Sequence, residues 1–422
     1  MFRFAIAATV LVLMCGVARG QSLVGATVRS GNTCNLIVID PTTGSNQVYM
    51  NVTLPGPASS QLYQMGAVPG CGLIGNMYVE PSTATGAGPM IVIQPLSGSV
   101  SVVAYGAPVS TGYVEGLDYS PRHNAVLVSF GATGNFGTNR LALVNPANGS
   151  VISSTAALSG ISDLDTIVSS PSEDVFFDLN ATGNPRVKRL TALLPNPTFG
   201  TFSSPPALQA WFDGAMHPTT GELVFTDGDG SRLVRLVGSA YVPGATLANG
   251  ARIRGLAWAN LPPRVQPFAP VAICPGGSVS IPATVPGTPP YSNIWEIESP
   301  VGSGTFVPLV NGTFTEIGSG MTFTAAATDS QVLQISNLQP GSRGPVLVVR
   351  LRTSNSCGES SGTTTLTYCP PDVNCDGALD LFDYLDFVAA FSGNEPSSDF
   401  NADTVIDFFD YLDFVDAFAA GC

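Results

Sequence analysis

The sequence predicts a mainly β protein ending in a small helical module, and three observations carry that prediction. Short β-branched runs are punctuated by Gly and Pro, 46 and 34 of 422 residues, which is turn chemistry. A strand-and-turn phrase returns about every 50 residues. In the final stretch the apolar spacing becomes helical. Hydrophobic residues make up 44% and charged residues 11%, enough apolar material for packed cores and unlike a disordered chain. At roughly 150 residues per domain, the length fits two to four domains. The formal net charge is −14, with eleven Asp, one Glu and no Lys or Arg between Asp372 and Cys422. The rest of the chain carries 18 acidic and 16 basic side chains. A nearly neutral body excludes a basic nucleic-acid footprint.

Residues 1–20 read as a secretory signal. Arg3 gives a positive start, an apolar run follows from Phe4 to Ala18, and Ala18 and Gly20 are the small residues before a cleavage site. Retention as a membrane anchor is the alternative, but the run is short for a span of roughly 20 residues. No later segment approaches a span. The mature chain is expected to be secreted, extracellular or at the cell surface, with no integral membrane span. Export permits disulfides. Seven cysteines follow the signal, an odd number that leaves one free or bonded to another molecule. Proximity suggests Cys34–Cys71, domain membership suggests Cys274–Cys357, and Cys422 would close on Cys369 or Cys375.

Residues 21–262 are organised by two phrases. Ile37-Val38-Ile39-Asp40-Pro41-Thr42-Thr43-Gly44 returns at Ile91–Gly98 and at Leu143–Gly149, with prolines 54 and 51 residues apart. Each is a strand running into a Pro/Gly turn. The second phrase, Gly116-Leu117-Asp118-Tyr119-Ser120-Pro121 before a strand, returns at Gly214–Phe225, with weaker copies near Gly66, Asp163 and Gly255. Such a period, with several strands per unit, is the signature of a β-propeller with five or six blades. The phrases resemble those of loosely repeated propellers in secreted bacterial proteins. A two-sheet sandwich is the alternative use of the same hairpins.

Residues 263–369 begin in a Pro-rich stretch, Asn260 to Pro267, expected to be a stiff, extended linker. Alternation at Val279 and Ile281, a buried Trp295, and strands over Leu333–Leu338, Val346–Arg352 and Thr363–Thr367 predict an Ig-like β-sandwich. It resembles bacterial Ig-like domains, with Val348 standing where antibody-type domains bury an inter-sheet Cys.

Residues 370–422 contain a duplication. Asp372–Phe391 aligns with Asp399–Phe418 at an offset of 27, with 13 of 20 positions identical. Asp372, Asn374, Asp376, Asp380 and Asp383 fall at positions 1, 3, 5, 9 and 12 of one acidic loop, and Asp399, Asn401, Asp403, Asp407 and Asp410 at the same positions of the other. Calcium takes six to eight oxygens, and EF-hand-type loops supply them at this spacing, with position 7 giving a backbone carbonyl, here Ala378 and Val405. Two calcium sites are therefore expected. Thr404 stands at position 6 of the second loop, where Gly suits a left-handed turn, so that site should be the weaker. Helices are expected over Tyr384–Phe391 and Tyr411–Phe418, packing through Leu385 and Val388 or through Phe387 and Phe391. Leu381, Phe382, Phe408 and Phe409 are expected mostly in the core, with a residual aromatic patch as a partner surface.

Two such loops, each followed by one helix after a linker, resemble a dockerin. The ending Asp-Phe-Phe-Asp-Tyr-Leu-Asp-Phe-Val-Asp-Ala-Phe-Ala-Ala-Gly-Cys is similar to the "GC-type" dockerin tails of planctomycete secreted proteins. The resemblance covers only the tail. It implies calcium-dependent docking to a cohesin-like or other surface receptor, although the helices lack the Lys or Arg of many cohesin-binding dockerins.

Catalytic material is sparse. His123 and His217 stand beside turn prolines and read as surface turn residues, so a Ser-His-Asp triad or a His-rich metal centre has little to draw on. Asp227-Gly228-Asp229-Gly230 reads as a hairpin tip. Asp118, Asp165, Glu173, Asp213 and Glu222 could include a glycosidase pair, though Asp118 and Asp213 are better explained as turn-adjacent strand residues. The catalytic residues are unknown. The expected function is a non-catalytic binding protein with a glycan or protein ligand on its propeller, anchored by the tail. The rival is a dockerin-bearing, polysaccharide-degrading enzyme, and a third possibility is a structural envelope protein.

Overall fold

In a computed structural model of the chain, the described residues are 21–57, 60–79, 88–131, 138–159, 161, 164–179, 185–192, 196–203, 213–227, 230–237, 240–274, 277–339, 346–401 and 403–421. The expected signal at 1–20, Asp163, the tip residues 228 and 229, and Cys422 lie outside them. The protein is mainly β. Among the described residues, strands from Ser22 to Ala259 build five four-stranded antiparallel sheets. The first contains, in spatial order, Ile253–Ala259, Ser22–Thr27, Thr33–Ile39 and Asn46–Thr53. The second holds Ser60–Val68, Gly72–Val79, Met90–Gln94 and Ser99–Val103, and the third Val114–Ser120, Ala125–Gly131, Thr138–Val144 and Val151–Ser154. The fourth holds Leu164–Ser169, Asp174–Leu179, Pro185–Ala192 and Thr198–Ser203, and the fifth Gly214–Met216, Leu223–Asp227, Arg232–Val237 and Ala240–Thr246.

The first-named, leading strands pack against one another. Ile253–Ala259 contacts Ser60–Val68, which contacts Val114–Ser120, which contacts Leu164–Ser169. Gly214–Met216 contacts both Leu164–Ser169 and Ile253–Ala259. The first sheet also joins the two ends of this region, with Leu23 opposite Trp258.

Both recurring phrases have a physical reason. The first ends in a tight turn in which the Gly N–H donates to the carbonyl four residues earlier. That bond is 2.8 Å at Asp40–Gly44, Gln94–Gly98 and Asn145–Gly149, and the same turn occurs at His217–Gly221 inside the second phrase. The glycines have φ between +70° and +74°, a region in which glycine is unstrained. The second phrase marks leading strands, where sheets approach closely. A Cβ on Gly66 would collide with Asp118, and one on Gly255 with Met65.

Residues 271–368 form two sheets around one core. One contains Val271–Ile273, Gly358–Tyr368, Val346–Asn355, Ser292–Glu298 and Phe306–Pro308, and the other Ser278–Pro282, Val332–Gln339, Thr322–Ala326 and Gly312–Thr315. Trp295 is fully buried, with Ile297, Phe323, Ile335, Leu347, Val349 and Leu351 around it. Val348 is only partly buried. The expectation that it takes an inter-sheet position is one residue out of register, and on a strand one residue changes the face.

The Pro-rich stretch is not a free spacer. Leu261, Pro262 and Pro263 are buried. Tyr49 Oη donates to the Pro262 carbonyl at 3.0 Å, and Asn355 Nδ2 donates to the Leu261 carbonyl at 2.7 Å. A disulfide, Cys71–Cys357, also links the second sheet region to the sandwich. The expected pairings Cys34–Cys71 and Cys274–Cys357 are therefore incorrect. Cys274 bonds Cys375, Cys34 is a buried free thiol, and Cys369 is disulfide-bonded. Proximity in sequence and shared domain membership both misled, because each bond joins regions that only folding brings together.

Two helices follow, α1 over Leu381–Ser392 and α2 over Phe408–Ala420. Each starts three residues earlier than expected. Asp380 and Asp407 cap the helices, and Asp383 and Asp410 complete capping boxes. Among the described residues no helix is long and apolar enough to cross a membrane.

Candidate functional site

The acidic loops are built alike. Asn374 Oδ1 accepts the Asp376 N–H at 2.9 Å, and Asp376 Oδ1 accepts the Ala378 N–H at 2.9 Å. Asn401 and Asp403 repeat this at 3.0 and 2.8 Å. Asp383 Oδ1 accepts from Val373 and Asn374, and its Oδ2 from Asp380. Asp410 makes the equivalent bonds to Phe400, Asn401 and Asp407. For Asp410 burial pushes the pKa up, but these N–H groups outweigh it and hold the carboxyl below its ordinary value.

The first positions differ. Asp399 uses both oxygens, accepting from Asp403 and Thr404. Asp372 Oδ2 accepts from Gly377 at 3.1 Å, while Oδ1 is buried with no partner. Burial pushes the Asp372 carboxyl above its ordinary range, and the Asp383 and Asp376 carboxylates add to that push. Position 6 is left-handed in both loops, φ +83° at Gly377 and +74° at Thr404.

These residues fit a hard cation by donor type, being carboxylate, amide and backbone oxygens without nitrogen or sulfur. The unpartnered Asp372 oxygen fits it also. Among the described residues, no three His, Cys, Asp or Glu side chains already converge as a metal cluster. The sets at Asp372, Asn374, Asp376, Ala378, Asp380, Asp383 and at Asp399, Asn401, Asp403, Val405, Asp407, Asp410 are ordered by backbone N–H groups.

The helices pack through one of the two expected pairings. Phe387 and Phe414, related by the duplication, stack with centroids 3.8 Å apart and planes 3° from parallel. The hydroxyls of Tyr384 and Tyr411 meet at 3.0 Å. Leu385 lies outside this core, as does Leu412. Leu381, Phe382, Phe408 and Phe409 are 64–66% exposed, which corrects the expectation that most were core.

A second locus lies among the five leading strands. All five contribute to a cavity of ≈ 150 Å³ lined by residues including Met65, Asp118, Ser169, Met216 and Trp258. Asp213 is not among the lining residues, though it is close enough to Asp118 to feel its charge, and both carboxylates are occupied by backbone. Asp213 is fully buried and accepts from Gly214 at 2.8 Å, Met65 at 2.8 Å and Leu256 at 2.6 Å. Asp118 accepts from Tyr119 and Ser169, both at 2.7 Å. Burial pushes both carboxyls well above the usual range against these bonds. Each Asp ties one leading strand to another, a role the sequence did not reveal. Glu173 pairs with Arg189 and Glu222 with Arg235, and the side chain of Asp165 lies outside the described residues.

His123 is not a surface residue. Its side chain is 5% exposed. Ser120 Oγ donates to Asp174 Oδ1 at 2.7 Å and lies 2.8 Å from His123 Nδ1. With that hydroxyl proton given to Asp174, the His Nδ1–H donates to Ser120, and Nε2 is buried without a partner. Burial lowers the His123 pKa, which favours the neutral ring. Ser120 and Asp174 are fully buried. The three residues of a triad are present, but the hydroxyl is inaccessible as a nucleophile, and the cluster pins the third sheet to the fourth. His217 is half-buried at its turn, where Nδ1 accepts from Thr219 and Thr220 and the ring meets Trp258 edge-on.

No family model matches the chain, and no curated protein matches it. Among solved structures, the titin M3 domain is similar to 25% of this chain and covers 96% of that domain, at 18% identity and a TM-score of 0.17. The PKD domain of human KIAA0319 is similar at the same coverage of this chain, 82% of that domain, 18% identity and a TM-score of 0.17.

Proposed function

We propose that this is an exported, non-catalytic binding protein held at a surface or in a complex by a calcium-dependent, dockerin-like tail. On this reading the five sheets are blades of a closed propeller that presents a ligand site, and the sandwich is an Ig-like spacer. The observation that carries the reading is the duplicated tail. Two like loops flank a shared aromatic core and leave Leu381, Phe382, Phe408 and Phe409 outward at equivalent positions. Asp372, Asn374, Asp376, Asp380 and Asp383, with the Ala378 carbonyl, would hold one calcium ion, and the equivalent second set another. Bound calcium would neutralise carboxylates that otherwise repel one another and so couple metal binding to tail order.

The cyclic packing of leading strands and the pairing of the region's two ends support the propeller reading. The disulfides are consistent with an extracellular protein. The rival enzyme reading gains the proximity of Asp118 and Asp213 but must explain how carboxylates engaged by backbone N–H groups would reach substrate.

The test is capture. The full mature chain is immobilised and exposed to envelope extract of the source organism with calcium, then with chelator. The expected result is a receptor released by chelator and lost in a Phe382→Asp, Phe409→Asp variant. Capture indifferent to chelator and to the variant would contradict the docking reading.

A further inference from the structure

The two acidic loops are copies, but the duplication breaks at position 4, which is Cys375 in the first loop and Ala402 in the second. Cys375 stands between Asn374 and Asp376, two candidate calcium ligands, and the hydrogen bond from the Asp376 N–H to Asn374 Oδ1 spans it. It is disulfide-bonded to Cys274, 101 residues away in sequence. Cys274 is 4% exposed and directly follows Val271–Ile273, an edge strand of the sandwich. That strand pairs in parallel with Gly358–Tyr368, and the Cys369 N–H extends the pairing by donating to the Ile273 carbonyl at 2.9 Å.

Asp372 therefore lies midway between two fixed points, Cys369 on the sandwich and Cys375 stapled to it. Cys369 is 2% exposed and itself disulfide-bonded, and the intervening Pro371 is buried. Cys375 is held left-handed at φ +61°, a conformation uncommon for a residue with a side chain. The second loop contains no cysteine. A loop that orders only when metal arrives spends part of the binding free energy on that ordering. A staple that already confines Asp372, Asn374 and Asp376 lowers this cost at the first loop alone.

We propose that the Cys274–Cys375 disulfide is a positioning element for the first calcium site, so that its redox state and calcium occupancy are coupled. The proposal deepens the reading of the tail as a calcium module and rests on it. The oxidised loop binds calcium more tightly, and by linkage calcium protects the bond from reduction by the same factor. Cys375 is the exposed partner and the end a reductant reaches. A dithiol thiolate attacks its sulfur, forms a mixed disulfide and releases the Cys274 thiolate. The second thiol then displaces the Cys375 thiolate as the reductant closes into a ring. The protein bond takes up two electrons and two protons, and the dithiol is oxidised to a disulfide.

The test is calcium titration calorimetry on the full mature chain and on its Cys274→Ser, Cys375→Ser variant. The first site, identified as the one lost in Asp372→Ala, should weaken about tenfold in the cysteine variant, and the second should keep its affinity. A second measurement needs no cysteine variant. The unaltered chain is equilibrated in dithiothreitol redox buffers with calcium or with chelator, and alkylated Cys375 is quantified by mass spectrometry. A tenfold coupling makes the bond harder to reduce by about 30 mV when calcium is present. Asp372→Ala should abolish that shift, and Cys71–Cys357 should show none. Two calcium sites unchanged in the cysteine variant, with no calcium-dependent shift at Cys375, would overturn the proposal and leave the calcium module standing. A shift shared equally by Cys71–Cys357 would overturn the positioning role. A chain that binds no calcium would overturn both the proposal and the reading beneath it.

Discussion

The tail and the five-sheet region both depend on carboxylates, and they use them in opposite ways. In the tail, every acidic ligand candidate lies within one twelve-residue loop and bonds to N–H groups of that same loop. In the sheets, Asp118, Asp174 and Asp213 reach to neighbouring sheets. The tail's acids leave a charge density that a cation can answer. The acids among the sheets are fixed by partners from elsewhere in the fold and serve as ties.

The largest expected effect tests the ties. Asp213→Ala leaves three buried N–H groups without an acceptor and should destabilise the five-sheet region by about 5 kcal/mol, read by denaturant unfolding. A loss below about 1 kcal/mol would show that these N–H groups find other partners. Phe414→Ala removes the stacked partner of Phe387 and should cost the tail about 3–5 kcal/mol, read as lost helical circular dichroism. An unchanged helix signal would mean that the loops alone order the helices.

A carboxylate in the sandwich sharpens the comparison, since it is buried like those of the sheets but bonded locally like those of the tail. Burial pushes the Glu316 pKa up, yet the Ser319 hydroxyl, the Gly318 and Ser319 N–H groups and the Ser299 hydroxyl together pull it down to about 2. A lowered folded pKa stabilises above the unfolded value and loses that contribution as pH falls from 4.5 towards 2. The sandwich should therefore lose about 3 kcal/mol across that window, and Glu316→Gln should flatten the acid limb of its unfolding curve. An unchanged limb would place the acid sensitivity elsewhere.

These contrasts explain what could be read from the chain. The likeness of the two acidic loops was legible because loop geometry is set by spacing within twelve residues, whereas the helix starts were placed three residues late because Asp380 and Asp407 were read as ligands and not as caps. The turns at Gly44, Gly98 and Gly149 were legible, like the loops, from local spacing. The Asp213 tie to Met65 and Leu256, the burial of His123 and the Cys71–Cys357 bond were not, because each joins residues far apart in sequence. The exposure of Phe382 and Phe409 was misjudged for a different reason. Hydrophobicity argues for burial on average, but a short helix capped at Asp380 has only one face towards its partner.

The smallest predicted effect lies within the tail. Thr404 holds a β-branched side chain at φ +74°, a conformation that costs about 1–2 kcal/mol beyond glycine. Thr404→Gly should tighten the second calcium site roughly tenfold, bringing it towards the first. If the two sites of the unaltered chain were equal, the strain argument would fail.

The central claim, that the tail is a two-site calcium module, is tested most directly by calcium titration calorimetry on the intact chain, in which Cys274–Cys375 keeps the first loop tied to the sandwich. Two binding events are predicted, the second weaker, with the first lost in Asp372→Ala and the second in Asp399→Ala. A chain that takes up no calcium, or takes it up equally in the double variant, would contradict the account.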